Sequence, residues 1–257
     1  MKKHLKRILI GASMSLMAVF GFLIIFILYP NNLFAKRTNY KGFKIYATTA
    51  IGNYEKILDE AEMLVKRSEL YDSNYTYDIF LTNETFYKDI TFRLLGPAMA
   101  RSIDNNVILN VKADFKNDLL EGARNKRDLS KTIAHEMVHC LQVNKYGLLK
   151  FNPLVHPPLW KLEGYAEYIA CLEEISSSAY SFTQTVRTLK DYQQKRLEWV
   201  ESKPGHSDPI IYFKGRVMME YLINKKGMSY DQILSDTIKE DAVYKQLGDW
   251  YASQVKN

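Results

Sequence analysis

The pattern of apolar and polar positions changes character three times along the chain. Residues 8–29 carry no charge and are mostly apolar, a run of 22 residues that stops at Pro30. That length suits a helix crossing a hydrocarbon core of about 30 Å. Next come shorter patterned segments. Residues 43–48 read as a strand, and residues 53–68 place Ile57, Ala61, Leu64 and Val65 at helical spacing. Residues 76–81 alternate Tyr77, Ile79 and Leu81 as a second strand, and a short helix over 84–94 ends at Gly96-Pro97. Residues 101–103 and 107–111 pair as a hairpin around Asp104-Asn105-Asn106. A longer helix runs from Asp128 or Ser130 to Lys145 with Gly147 as its stop, and Ile133, Met137, Cys140 and Leu141 give it an apolar stripe. After a proline-rich loop at 152–158 the pattern is helical to the C-terminus, broken once by turn residues at 203–209. The expected fold class is α+β: an N-terminal transmembrane helix, a small sheet-containing lobe, then a mainly helical lobe.

Charge sharpens the division. Residues 1–41 hold 7 of the 35 Lys and Arg and none of the 29 Asp and Glu, which leaves 28 basic against 29 acidic groups beyond them. The basic balance therefore belongs to the first segment, and no nucleic-acid partner is expected. Leu33-Phe34-Ala35 fits a signal-peptidase site poorly, so the run reads as an uncleaved anchor. No cysteine lies in or just after it, which excludes a lipid-modified cysteine there. Lys2, Lys3, Lys6 and Arg7 form a tighter cluster than Lys36, Arg37, Lys41 and Lys44, favouring an N-terminus inside and the bulk of the chain outside the cytoplasm. The expected division is 1–41 as stub, anchor and linker, and 42–257 as one domain. Cys140 and Cys171 suit either a disulfide or two buried thiols.

The chemistry is carried by two helical segments. His135-Glu136-Met137-Val138-His139 is an HExxH motif, and its histidines four apart share one helix face. Two imidazoles with one carboxylate and an open position for water suit zinc, and Glu136 sits where it can deprotonate that water. Glu163 follows in Trp160-Lys161-Leu162-Glu163-Gly164-Tyr165-Ala166-Glu167, whose apolar neighbours predict burial. Buried carboxylates need partners. Glu163 is thus the expected third ligand, and Glu167, one turn on, the residue that orients a ligand histidine. His156, beside Pro157, reads as a plain loop histidine, with a ligand role as the alternative. Tyr192, Trp199, Tyr221 and Tyr230 read as core aromatics.

His135-Glu136-x-x-His139 paired with Trp160-x-x-Glu163-Gly164-x-Ala166-x-Tyr168 resembles the gluzincin metallopeptidases, the group that includes thermolysin and the zinc aminopeptidases. The resemblance covers residues 128–172. It implies Glu163 as third zinc ligand, an edge strand beside the cleft at 107–111, and Glu167 where thermolysin has aspartate. It also implies a tyrosine or histidine steadying the oxyanion, for which Tyr212 and His206 are the candidates, with ordinary surface and core roles as the alternative. Gln142 and Lys145 replace the Gly and third His of the metzincins, and the aminopeptidase Gly-x-Met-x-Asn element is absent. The membrane span lies far from His135, which argues against an intramembrane protease. The expectation is a membrane-anchored zinc peptidase acting on a peptide or protein substrate; the alternative is a non-catalytic zinc-stabilised binding or structural protein of the same fold.

Overall fold

Ile45, Ile79 and Val107 lie side by side in register on three neighbouring parallel strands, and Tyr46, Phe80 and Ile108 do the same one residue on. Side chains alternate across a strand, so these two rows face opposite sides of the sheet. Both rows are apolar and buried, as a parallel sheet covered on both faces requires. In the computed structural model, which describes residues 2–123, 125–152 and 154–255, the chain is a mixed α+β protein with one apolar N-terminal helix.

That helix, α1, spans Lys2–Leu28 and is followed by a 3-10 turn at Pro30–Leu33. The first sheet contains β1 (Lys36–Tyr40), β2 (Phe43–Ala47), β3 (Tyr77–Leu81), β4 (Ala100–Ile103) and β5 (Asn106–Leu109), with α2 (Tyr54–Val65) and α3 (Phe86–Leu95) in its connections. Its order is β1-β2-β3-β5-β4, with the outer strands antiparallel to their neighbours. Because β1 pairs with β2, the sheet reaches back to Lys36, into the segment expected to be linker. The edge strand beside the cleft is β4, not residues 107–111, because β5 is paired on both sides.

A second sheet was not foreseen. Its strands are β6 (Lys112–Asp114), β7 (Leu119–Glu121) and β8 (Lys126–Asp128), joined later by β9 (Trp199–Lys203) and β10 (His206–Pro209). The break at 203–209 is therefore a β-hairpin turning at Pro204-Gly205, where Gly205 has φ +76°. Among the helices, α4 is Leu129–Tyr146, and the Asp118 carboxylate caps it by accepting from the Ser130 backbone N–H at 2.7 Å. Then come α5 (Leu159–Ala170), α6 (Leu172–Ile175), α7 (Phe182–Gln194), α8 (Ile210–Glu220, extended by a π turn), α9 (Tyr230–Leu234) and α10 (Glu240–Val255). Pro153, within the proline-rich loop, lies outside the described residues. Cys140 and Cys171 are free, buried thiols.

The main core lies between the inner face of the first sheet and α2, α4, α5 and α8. Helices α5 and α8 cross at Gly164 and Gly215, where a Cβ on Gly164 would stand 2.6 Å from the Gly215 carbonyl carbon. Backbone, not a yielding side chain, occupies that space. Gly164→Ala is expected to destabilise the fold by about 1–3 kcal/mol or more, read as a lowered denaturation midpoint. An unchanged midpoint would mean that the two helices do not touch so closely.

Candidate metal centre and cleft

Helix α4 carries His135 and His139 one turn apart, with 3% and 9% of their surfaces exposed. Helix α5 packs beside it and presents Glu163. Three donor atoms converge: His135 Nε2 lies 3.1 Å from Glu163 Oε2 and 3.1 Å from His139 Nε2, which is 3.4 Å from Glu163 Oε2. Four-coordinate zinc with bonds of about 2.0–2.1 Å places its ligand atoms roughly 3.3–3.4 Å apart. The donor set thus has both the chemistry and the spacing of a site that could hold a metal.

Each imidazole is held from behind. His135 Nδ1–H donates to Glu167 Oε2 at 3.0 Å, and His139 Nδ1–H donates to Gln142 Oε1 at 2.8 Å. With Nδ1 so engaged, Nε2 is the nitrogen that each ring presents to the centre. Gln142 is fully buried and is itself fixed, since its Nε2 donates to Tyr230 Oη at 2.8 Å. Glu167 is gripped by Arg127, whose guanidinium lies 3.3 Å from Glu167 Oε2 and 2.8 Å from Asp208 Oδ1. Burial alone would raise the Glu167 carboxyl, but His135 and Arg127 hold it well below the usual range.

Gln142, Arg127 and Asp208 were not singled out from sequence. Gln142 could have been, since it stands three residues after His139 on the same helix face. Arg127 and Asp208 lie on β8 and β10, strands too short and polar to show in the pattern.

Glu136 is buried and lines the same cleft as the two histidines. Burial raises its carboxyl above the ordinary value, against the pull of His135 and His139. Tyr212, on the first turn of α8, stacks on the His135 ring with centroids 5.9 Å apart, and burial keeps its phenol protonated. The cleft has a volume of about 520 Å³ and is bordered by β4, Phe151, Leu159, Trp199 and Tyr212, a size ordinary for ligand sites. Trp199, expected in the core, is 54% exposed on this rim because it begins the unforeseen hairpin.

Two histidines lie elsewhere. His206 is held in strand register opposite Lys203 and Lys126, and its Nδ1 lies 3.5 Å from Asp128 Oδ1. It lines a second cavity of about 460 Å³ rather than the cleft, so it is not brought to His135, His139 and Glu163 as an oxyanion donor would be. His156 is exposed at the cleft mouth with Nδ1 2.7 Å from the Pro157 carbonyl oxygen, outside the donor group found among the described residues.

Two outcomes follow from this geometry. Glu167→Gln is expected to keep the fold and weaken metal affinity by roughly 10–100-fold, with Glu167→Asp milder because a carboxylate survives. Metal competition titrations check it, and unchanged affinity in Glu167→Gln would show that the carboxylate does not orient His135. The second outcome concerns pH. Burial lowers the His135 pKa, but hydrogen bonds to Glu163 and Glu167 outweigh this and raise it to about 10. At neutral pH the metal-free site therefore holds a proton that a metal must expel. Affinity should rise with pH, by about tenfold per unit for each proton released, over roughly pH 6–9. Calorimetry in buffers of different ionisation enthalpy measures that proton, and pH-independent binding would contradict the assignment.

Comparison of the chain with protein-family models, with curated proteins and with solved structures finds no match.

Proposed function

We propose that the chain is a membrane-anchored, zinc-dependent peptidase of gluzincin type. The observation that carries this reading is the convergence of His135, His139 and Glu163 donors at 3.1–3.4 Å, with the Glu136 carboxylate buried in the same cleft. Two nitrogens and one carboxylate favour zinc over the harder calcium and magnesium ions. His135 and His139 would hold it through Nε2 and Glu163 through a carboxylate oxygen. When bound, zinc supplies Lewis acidity that polarises the scissile carbonyl and acidifies a water molecule.

The protein's own groups do the rest. Glu136 accepts a proton from the attacking water as the C–O bond forms, and delivers it to the amine nitrogen as the C–N bond breaks. Its raised pKa suits a group that must both take and return a proton. Tyr212 donates its phenolic O–H to the oxyanion. Substrate lies extended along β4, whose edge position leaves it free to pair with a peptide backbone. We read the sheet β1–β5 with its helices as one lobe and the helices from α5 onward as the other.

Residues Ile10–Leu28 form a helix long and apolar enough to cross a membrane. We read α1 as the anchor, with the N-terminus inside and the cleft outside the cytoplasm. Incubating the zinc-loaded full chain with a mixed peptide library, beside Glu136→Gln, tests the function. Cleavage by the native chain alone supports it; no cleavage by either leaves a zinc-stabilised binding protein.

A further inference from the structure

One exposed flank of α3 is apolar, beside an outer ridge that carries Asp89 and Arg93. Tyr87 and Thr91 point inward and are buried. Phe86 and Leu94 are 57% and 49% exposed, and Ile90, midway between them at i+4 spacing, is half-buried. The three form one stripe along the helix, bordered by the exposed Arg93 and Asp89, while Lys88 lies on the opposite flank with its Nζ 5.5 Å from the Phe92 ring centroid.

The position of this stripe relative to α1 decides what covers it. Phe26 stacks against Phe86 and Tyr87, with ring centroids 5.7 Å and 5.5 Å away. Tyr87 Oη donates to the Ile27 carbonyl and Asn106 Nδ2 to the Leu28 carbonyl, each at 2.8 Å. Carbonyls at a helix C-terminus lack helical partners, so these bonds fasten the end of α1 to the sheet. The same end packs on Tyr46, Phe80 and Ile108 of the outer sheet face. Phe26 lies within the apolar span, two residues before its end, which is about 3 Å along a helix axis. Phe86 therefore lies within 5.7 Å of the depth that Phe26 has in a bilayer.

We propose that the Phe86–Ile90–Leu94 face of α3 lies in the interfacial layer of the same bilayer, with Arg93 among lipid phosphates. This rests on α1 crossing the membrane. Helix α3 runs directly into the cleft wall, since Leu95, Pro97 and Ala98 line the cleft. The mouth of the cleft is thereby held at the lipid surface, and the substrates it reaches are polypeptide segments adjoining the membrane.

The test uses the full chain in phosphatidylcholine–phosphatidylglycerol vesicles whose acyl chains are brominated, against unbrominated vesicles. Phe86→Trp and Leu94→Trp each add one fluorophore to the native tryptophans. Phe22→Trp reports the anchor, and Met63→Trp, on the exposed side of α2, reports a surface away from it. The added emission at 86 and 94 is expected to fall by roughly half in brominated vesicles, as for a side chain in the interfacial layer, with 22 also quenched and 63 unchanged. Quenching at 22 without quenching at 86 and 94 overturns the proposal and leaves the anchor standing. No quenching at 22 removes the anchor and the proposal together. A blue shift at 86 and 94 without quenching means that protein covers the face, and quenching at 63 as well means unspecific adsorption; either result overturns the proposal.

Discussion

Exchanging Glu136 for glutamine is expected to lower peptide hydrolysis by roughly 100- to 10,000-fold while metal affinity stays as in the native chain. The two effects separate because Glu136 lines the cleft without belonging to the three-donor group. Glutamine preserves the shape of the side chain and removes the carboxylate proposed to accept the water's proton. The loss should fall on kcat, since the substrate contacts proposed along β4 are untouched. Steady-state kinetics beside calorimetric metal titration measures both. Full activity in Glu136→Gln would leave the proposed chemistry without a base.

The second large effect concerns Glu163. Glu163→Ala is expected to remove most of the bound metal, because two imidazoles alone leave the centre without its anionic donor. Burial opposes ionisation of this carboxyl, yet His139 and His135 hold it far below the usual range, so it is charged at any pH where the metal binds. His156→Ala should change nothing, since His156 points to the Pro157 carbonyl from an exposed loop. Metal content by mass spectrometry of the purified variants distinguishes the two. Metal that followed His156 instead would mean that the third ligand is misassigned.

Much of this site was legible because its residues lie on two long, strongly patterned helices. The i, i+4 spacing of His135 and His139 predicts their shared face, and the aromatic neighbours of Glu163 and Glu167 predict burial; all four do converge. Strands β2 and β3 were legible from their short apolar patterns, and the hairpin of β4 with β5 from its Asp104-Asn105-Asn106 turn. What escaped lies on short polar strands. Strands β6, β7 and β8 have three residues each, too few for a period to show. The hairpin of β9 and β10 presents Pro204-Gly205 and Pro209, which read as turn chemistry alone. Arg127, Asp208 and Trp199 come from those strands, so the clamp on Glu167 and one rim of the cleft depend on long-range pairing that no local pattern encodes. The same pairing separates Tyr212 from His206, which sequence could not rank: α8 carries the tyrosine to the His135 ring, and β10 holds the histidine against Asp128.

Restoring zinc to the metal-stripped full chain, while following cleavage of a peptide library, tests the central claim most directly. The account predicts no cleavage without metal, recovery in proportion to added zinc, and saturation at about one zinc per chain, as for a single site with three protein ligands. Cleavage that survives complete removal of the metal, or that never appears once zinc has filled the site, would contradict it.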